Sequence, residues 1–144
     1  MLPALSEIID LFASVEGTAK LELLIDFGER LPPLSKPYQR LRDAGLHMIH
    51  ECQSPVFLFV DVQEGIVHLH ADVPREAPIA RGFTALLCET FDGAPLDAMT
   101  NAPVDLLDTC GLRPLLSLQR RRGLTAIYTH LRYNSGLAFG MDKP

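Results

Sequence analysis

Hydrophobic positions along this 144-residue chain repeat at two different periods. From Ala4 to Ala13, Leu5, Ile8, Ile9 and Phe12 recur at the spacing that gathers side chains on one helix face. Gly17 interrupts that pattern. A second helix is predicted from about Thr18 to Arg30, with Leu21, Leu24, Ile25 and Gly28 on one face. Leu31-Pro32-Pro33-Leu34 ends it, because proline has no N–H to donate and its ring collides with the preceding turn. Residues 32–46 hold three prolines and read as irregular chain.

At Met48 the period shortens. Pro55 to Val62 is apolar on both alternating faces, as a central strand is, and Gly65 to Ala71 alternates, with Val67, Leu69 and Ala71 on one side and Ile66, His68 and His70 on the other. Gln63-Glu64-Gly65 suits a short hairpin turn between them, and Met48-Ile49-His50 is a candidate third strand. The helical period returns from about Pro78 to Phe91, where Ile79, Phe83, Leu86 and Leu87 face inward. A proline-punctuated helical stretch covers 95–109, and Ser117 is placed to cap a last helix running to about Tyr133. Two helices, two or three antiparallel strands and three helices make an α+β fold, a small meander packed by helices. No repeat or linker divides it, so residues 1–144 are expected to form a single domain.

Composition narrows the class. With 47% hydrophobic residues the chain is too apolar for disorder, and no apolar run approaches the ~20 residues that cross a bilayer. Met1-Leu2-Pro3-Ala4 lacks the basic start of a secretion signal, so the expected location is the cytoplasm and the three cysteines are expected to be reduced. A net charge of −5 argues against a nucleic-acid binder. That charge is unevenly spread. Residues 1–108 carry 17 acids against 7 bases, whereas Arg113, Arg120, Arg121, Arg122 and Arg132 occupy 109–141 without one acid, a positive face that could meet an acidic partner.

Candidate chemistry centres on Cys52. It lies in Glu51-Cys52-Gln53-Ser54-Pro55, short polar residues before a strand, where a partner's reactive group can approach a thiol. Cys88 falls at the edge of an apolar helical stripe and Cys110 beside Gly111 at a helix end, both positions that packing explains. Separations of 36 and 22 residues give no metal-ligand spacing. His50 would point the same way as Cys52 in an extended chain, but no orienting group or oxyanion hole completes a hydrolase pair. His68 and His70 share a strand face and could bind a metal; the wetter face of an amphipathic strand accounts for them better. Arg120-Arg121-Arg122-Gly123 opens the last helix against its dipole, and Gly123 in a helix interior costs up to ~1 kcal/mol relative to alanine. A segment carrying both penalties is a place to look for function.

Four stretches together resemble the SufE family of sulfur acceptors. Leu24-Ile25-Asp26-Phe27-Gly28-Glu29-Arg30-Leu31-Pro32-Pro33-Leu34 is similar to that family's helix ending in Leu-Pro, and Glu51-Cys52-Gln53-Ser54-Pro55-Val56-Phe57 to its Gly-Cys-x-Ser-x-Val-Trp loop. Ile79-Ala80-Arg81-Gly82 resembles its Ile-Val-(Lys/Arg)-Gly helix opening, and Ser117 to Leu124 its Pro-Ser-Arg-x-Asn-Gly-Leu segment. Glu51 stands for the usual glycine, Phe57 for tryptophan and Arg122 for Asn or Gln; a carboxylate beside Cys52 would raise the thiol pKa.

The resemblance implies a SufE- and IscU-like fold and a relay chemistry. Cys52 would accept persulfide sulfur from a pyridoxal-phosphate-dependent, SufS-like cysteine desulfurase, stimulate that enzyme, and pass the sulfur to a SufBCD-type cluster scaffold. Arg120 would stabilise thiolate or persulfide charge, while Arg121 and Arg122 are expected to face solvent. The chain would have no cofactor or metal of its own and little turnover alone, acting as a monomer or a homodimer. The alternative is an iron–sulfur scaffold or metal-binding protein on the same fold, which would need about four thiolate-type ligands.

Overall fold

The computed structural model describes residues 2–136. Helix α1 (Pro3–Ala13) starts with a proline, whose missing N–H would have had no partner in the first turn, and buries Leu5, Ile8 and Phe12. Helix α2 (Ala19–Glu29) buries Leu24, Phe27 and Gly28. Ile25, expected inside, is 37% exposed, and Phe27 takes its place. The cause is a close crossing with α4 (Pro78–Phe91). A Cβ added to Gly82 would lie 1.9 Å from the Leu24 carbonyl oxygen, and one added to Gly28 would lie 3.2 Å from the Gly82 nitrogen. Backbone contact at Leu24 and Gly28 therefore sets the buried face of α2 and turns Ile25 out.

Residues 36–43 correct a second expectation. They form helix α3 (Lys36–Asp43), not irregular chain, with Pro37 in the first turn where a helix tolerates it. None of its residues is fully buried, so it lacks the apolar stripe that would have marked it. It is held from outside: the Gln39 amide donates to Leu34 O (2.7 Å), and Arg42 pairs with Asp72 (2.8 Å).

The sheet is antiparallel, in the order β1 (Met48–Ile49), β2 (Val56–Gln63), β3 (Ile66–Asp72). Glu64 and Gly65, at φ 53° and 75°, form the two-residue turn whose twist suits a hairpin, and Gln63 pairs with Ile66 across it. Leu58 faces Ala71 and joins the main core; Phe59 faces His70 and joins a second cluster with Leu34 and Phe57, covered by Tyr38. This explains why β2 is apolar on both faces. The third strand is shorter than expected, since His50 has already left the sheet for a turn.

Behind the sheet lie α4 and the final helix α7 (Leu118–Asn134), which buries Gly123, Leu124, Ile127, Tyr128 and Leu131. His130 Nε2 lies 2.8 Å from Leu58 O, joining α7 to the central strand. The proline-punctuated stretch becomes two single-turn helices, α5 (Asp97–Thr100) and α6 (Leu106–Thr109), followed by a 3-10 turn at Arg113–Leu115. The arrangement is α+β, as the periodicity predicts. No helix among the described residues is long and apolar enough to cross a membrane.

Candidate functional site

Residues 50–55 bridge the short β1 and the long β2 as a string of turns, and Pro55 directs the chain into β2. Cys52 is half-buried there because α7 runs past it. Its Sγ lies 3.6 Å from the carbonyl oxygen of Gly123, to which the thiol donates, and a Cβ added to Gly123 would sit 3.4 Å from that sulfur. Helix α7 is fixed in register by Ser117, whose Oγ accepts from the Arg120 backbone N–H (3.2 Å), as the sequence predicts for an N-cap.

A cavity of about 150 Å³ opens beside the thiol. Three segments wall it: Cys52, Gln53 and Ser54 of the loop; residues 76–80 at the start of α4; and Gln119, Arg120, Gly123 and Leu124 of α7. The structure thus brings Cys52 and Arg120 to one cavity, although they are 68 positions apart in sequence. Glu76 and Ala77 were not singled out in the sequence, and Ile79 and Ala80 only as part of a helix opening. The available signal was Ile79-Ala80-Arg81-Gly82, whose work is now visible. Arg81 donates to Gly28 O (2.9 Å) and Val73 O (2.6 Å), and Gly82 permits the α2 crossing, so this motif sets the α4 wall.

Electrostatics hold the thiol in its neutral form. Burial, and after it the Glu51 carboxylate, push Cys52 up to about 11, against an ordinary cysteine value of about 8.5. At neutral pH this arrangement stores a protonated thiol, which is a poor nucleophile. Any partner that uses it must expose it or bring positive charge to it.

The remaining candidates fall elsewhere. Cys88 lies on α4 beside a groove under Leu31–Leu34, its thiol pushed up to about 12 by burial and then by Asp92 and Glu89. Cys110 closes α6 at 2% exposure, its thiol raised by burial to about 11. No hydrogen bond joins His50 to Cys52, because the turn breaks the extended geometry such a pair needs. His70 stacks on Tyr38 at 4.0 Å between ring centroids, and His68 sits opposite Asp61 across the hairpin. Among the described residues no three His, Cys, Asp or Glu side chains are grouped to hold a metal ion. Arg121 departs from expectation. It turns back rather than out, its Nε donating to Arg113 O (2.9 Å) and Leu116 O (3.1 Å).

The chain shares its overall shape with a hypothetical protein from Thermus thermophilus whose solution structure is known, with a TM-score of 0.76, 29% identity, and coverage of 97% of this chain and 98% of that one. It is 38% identical over 133 residues to an uncharacterized SufE-like protein of Mycobacterium tuberculosis, spanning 91% of each chain. It is 33% identical over 110 residues to the sulfur acceptor protein CsdE of Escherichia coli, covering 75% of this chain and 71% of CsdE. Residues 6–134 match the SufE family, described as an Fe-S metabolism associated domain. That span takes in the Cys52 loop, both other cavity walls and the whole of α7, and the chain accordingly belongs to the SufE family.

Proposed function

We propose that this chain is a sulfur acceptor acting as one unit, loaded at Cys52 by a pyridoxal-phosphate-dependent, SufS-like cysteine desulfurase and unloaded to a SufBCD-type cluster scaffold. The observation that carries this reading is the setting of Cys52: a half-buried thiol in a turn-rich loop, at a cavity open to the surface, while Cys88 and Cys110 sit on or against packed helices. The likeness to CsdE, itself named a sulfur acceptor, supports the same reading.

In the transfer, Cys52 thiolate attacks the outer sulfur of the donor's persulfide. The new Cys52 S–S bond forms as the donor's S–S bond breaks, the donor cysteine leaves as a thiolate, and the proton stays on the transferred sulfur. No oxidant is needed. With the resting thiol at about 11, only roughly one molecule in ten thousand carries the thiolate at pH 7. Docking must therefore undo the burial, and this keeps the acceptor unreactive until a donor arrives. Arg120, which lines the same cavity, is assigned the role of meeting the developing sulfur charge.

The test is stimulation of a desulfurase by added protein. Wild type, Cys88→Ser and Cys110→Ser should stimulate it, and Cys52→Ser should not, with its melting temperature kept. Full stimulation by Cys52→Ser would overturn the proposal. So would a stable brown protein after anaerobic incubation with iron and sulfide, the behaviour of a cluster scaffold.

A further inference from the structure

Gly123 stands in the body of α7, where a helix is better served by almost any other residue than proline. Its backbone does not require glycine, since Gly123 is not among the positive-φ glycines. Nor is it squeezed against another helix's backbone as Gly82 is. What an added Cβ would meet belongs entirely to the Cys52 loop: Cys52 Sγ at 3.4 Å, Cys52 Cα at 3.8 Å and Glu51 O at 4.0 Å. Alanine would thus touch the reduced thiol at ordinary contact distance without displacing it. It would close that side of the sulfur to anything further.

We infer that Gly123 is a positioning residue that keeps clear the space where a second sulfur, bonded to Cys52, comes to rest. This rests on the sulfur-acceptor reading for its physiological meaning, but the geometry stands by itself. A second sulfur adds an atom ~2.05 Å beyond Sγ. Set obliquely on the α7 side of Sγ, clear of the Gly123 Cα, it would still collide with a Cβ held 3.4 Å from Sγ, whereas glycine carries no such atom. The cavity shared by Cys52 and Gly123, about 150 Å³, far exceeds the roughly 10–15 Å³ that a single water requires. With glycine at 123 the outer sulfur seats between the loop and α7; with alanine it is turned out to solvent.

Methyl methanethiosulfonate tests this without a desulfurase. Cys52 thiolate attacks its divalent sulfur, forming Cys52–S–S–CH₃ and expelling methanesulfinate, so that the adduct carries a second sulfur of known position. Peptide mass spectrometry verifies that Cys52 holds it. The rate at which dithiothreitol removes the adduct is then compared between wild type and Gly123→Ala, with melting temperatures measured beside it. We expect roughly tenfold faster release from Gly123→Ala, because the outer sulfur is then reached directly, at an equal or higher melting temperature. Equal release rates from the two folded proteins would overturn the inference. Should Gly123→Ala not fold, wild type supplies the comparison: its adduct should be released roughly tenfold more slowly when folded than in urea, and equal rates would overturn the inference. The two readings fail separately. Equal release with normal sulfur acceptance removes the role of Gly123 alone, and altered release in a protein that accepts no sulfur removes the sulfur-acceptor reading alone.

Discussion

Glu51 and Cys52 are neighbours in sequence and act on one another through charge, so part of the thiol's behaviour could be read from the chain. The larger part could not, because burial comes from α7 folding back over the loop. Alkylation of Cys52 by iodoacetamide should rise with pH along a curve centred near 11, and Glu51→Gln should move the curve down, raising the rate at pH 8 a few-fold. A curve centred near the ordinary ~8.5 would contradict this. The arginine run divides as its contacts do. Arg121 serves two carbonyls at the end of the 3-10 turn, so Arg121→Ala should cost about 1.5–3 kcal/mol in urea unfolding. Arg120 offers only its backbone to the cap, so Arg120→Ala should leave the unfolding midpoint in place while slowing sulfur transfer. In the sequence the family resemblance sets Arg120 apart, but nothing separates Arg121 from Arg122. Their roles separate only when helical rotation points each one differently.

At the scale of elements, β3 and helices α1, α4 and α7 were legible through their apolar periods, and β2 as a short run buried on both faces. Helix α3 was not, since its hold on the protein comes through Tyr38, Gln39 and Arg42 rather than an apolar stripe. The α2–α4 crossing was legible only as two glycines, Gly28 and Gly82, with no sign that they meet. Their meeting decides which face of α2 is buried and how α4 reaches the cavity. Gly82→Ala would force a methyl group into the Leu24 carbonyl, held by backbone on both sides. It should destabilise the protein by about 3 kcal/mol or more in urea unfolding. Gly65→Ala, whose Cβ would meet nothing within 4 Å but whose φ is 75°, should cost less, about 1–2 kcal/mol.

Across the whole molecule the titrating groups set a window of stability. All three thiols are held above their ordinary value, so the folded chain keeps protons that the unfolded chain releases. Stability should be intact up to pH ~8.5 and decline as pH rises from there toward the folded values of about 11 to 12. His130 is shifted the other way by burial, against the opposing effect of its contact with Leu58 O, so its contribution is full above pH ~6.5 and fades as pH falls below it. Urea midpoints should therefore plateau between these limits; a midpoint still rising through pH ~10 would contradict the thiol assignment. The uneven charge of the sequence also resolves in the fold. Arg113 is paired with Asp105, and Arg121 and Arg132 donate to backbone carbonyls, which leaves Arg120 and Arg122 exposed at the start of α7, Arg120 alone of the two lining the Cys52 cavity. Fold and cavity thus converge on one sulfur atom. The most direct measurement is peptide mass spectrometry of the intact protein after incubation with a cysteine desulfurase and cysteine. Sulfur mass should be added at Cys52, with none at Cys88 or Cys110, and sulfur distributed over all three cysteines, or absent from Cys52, would contradict the account.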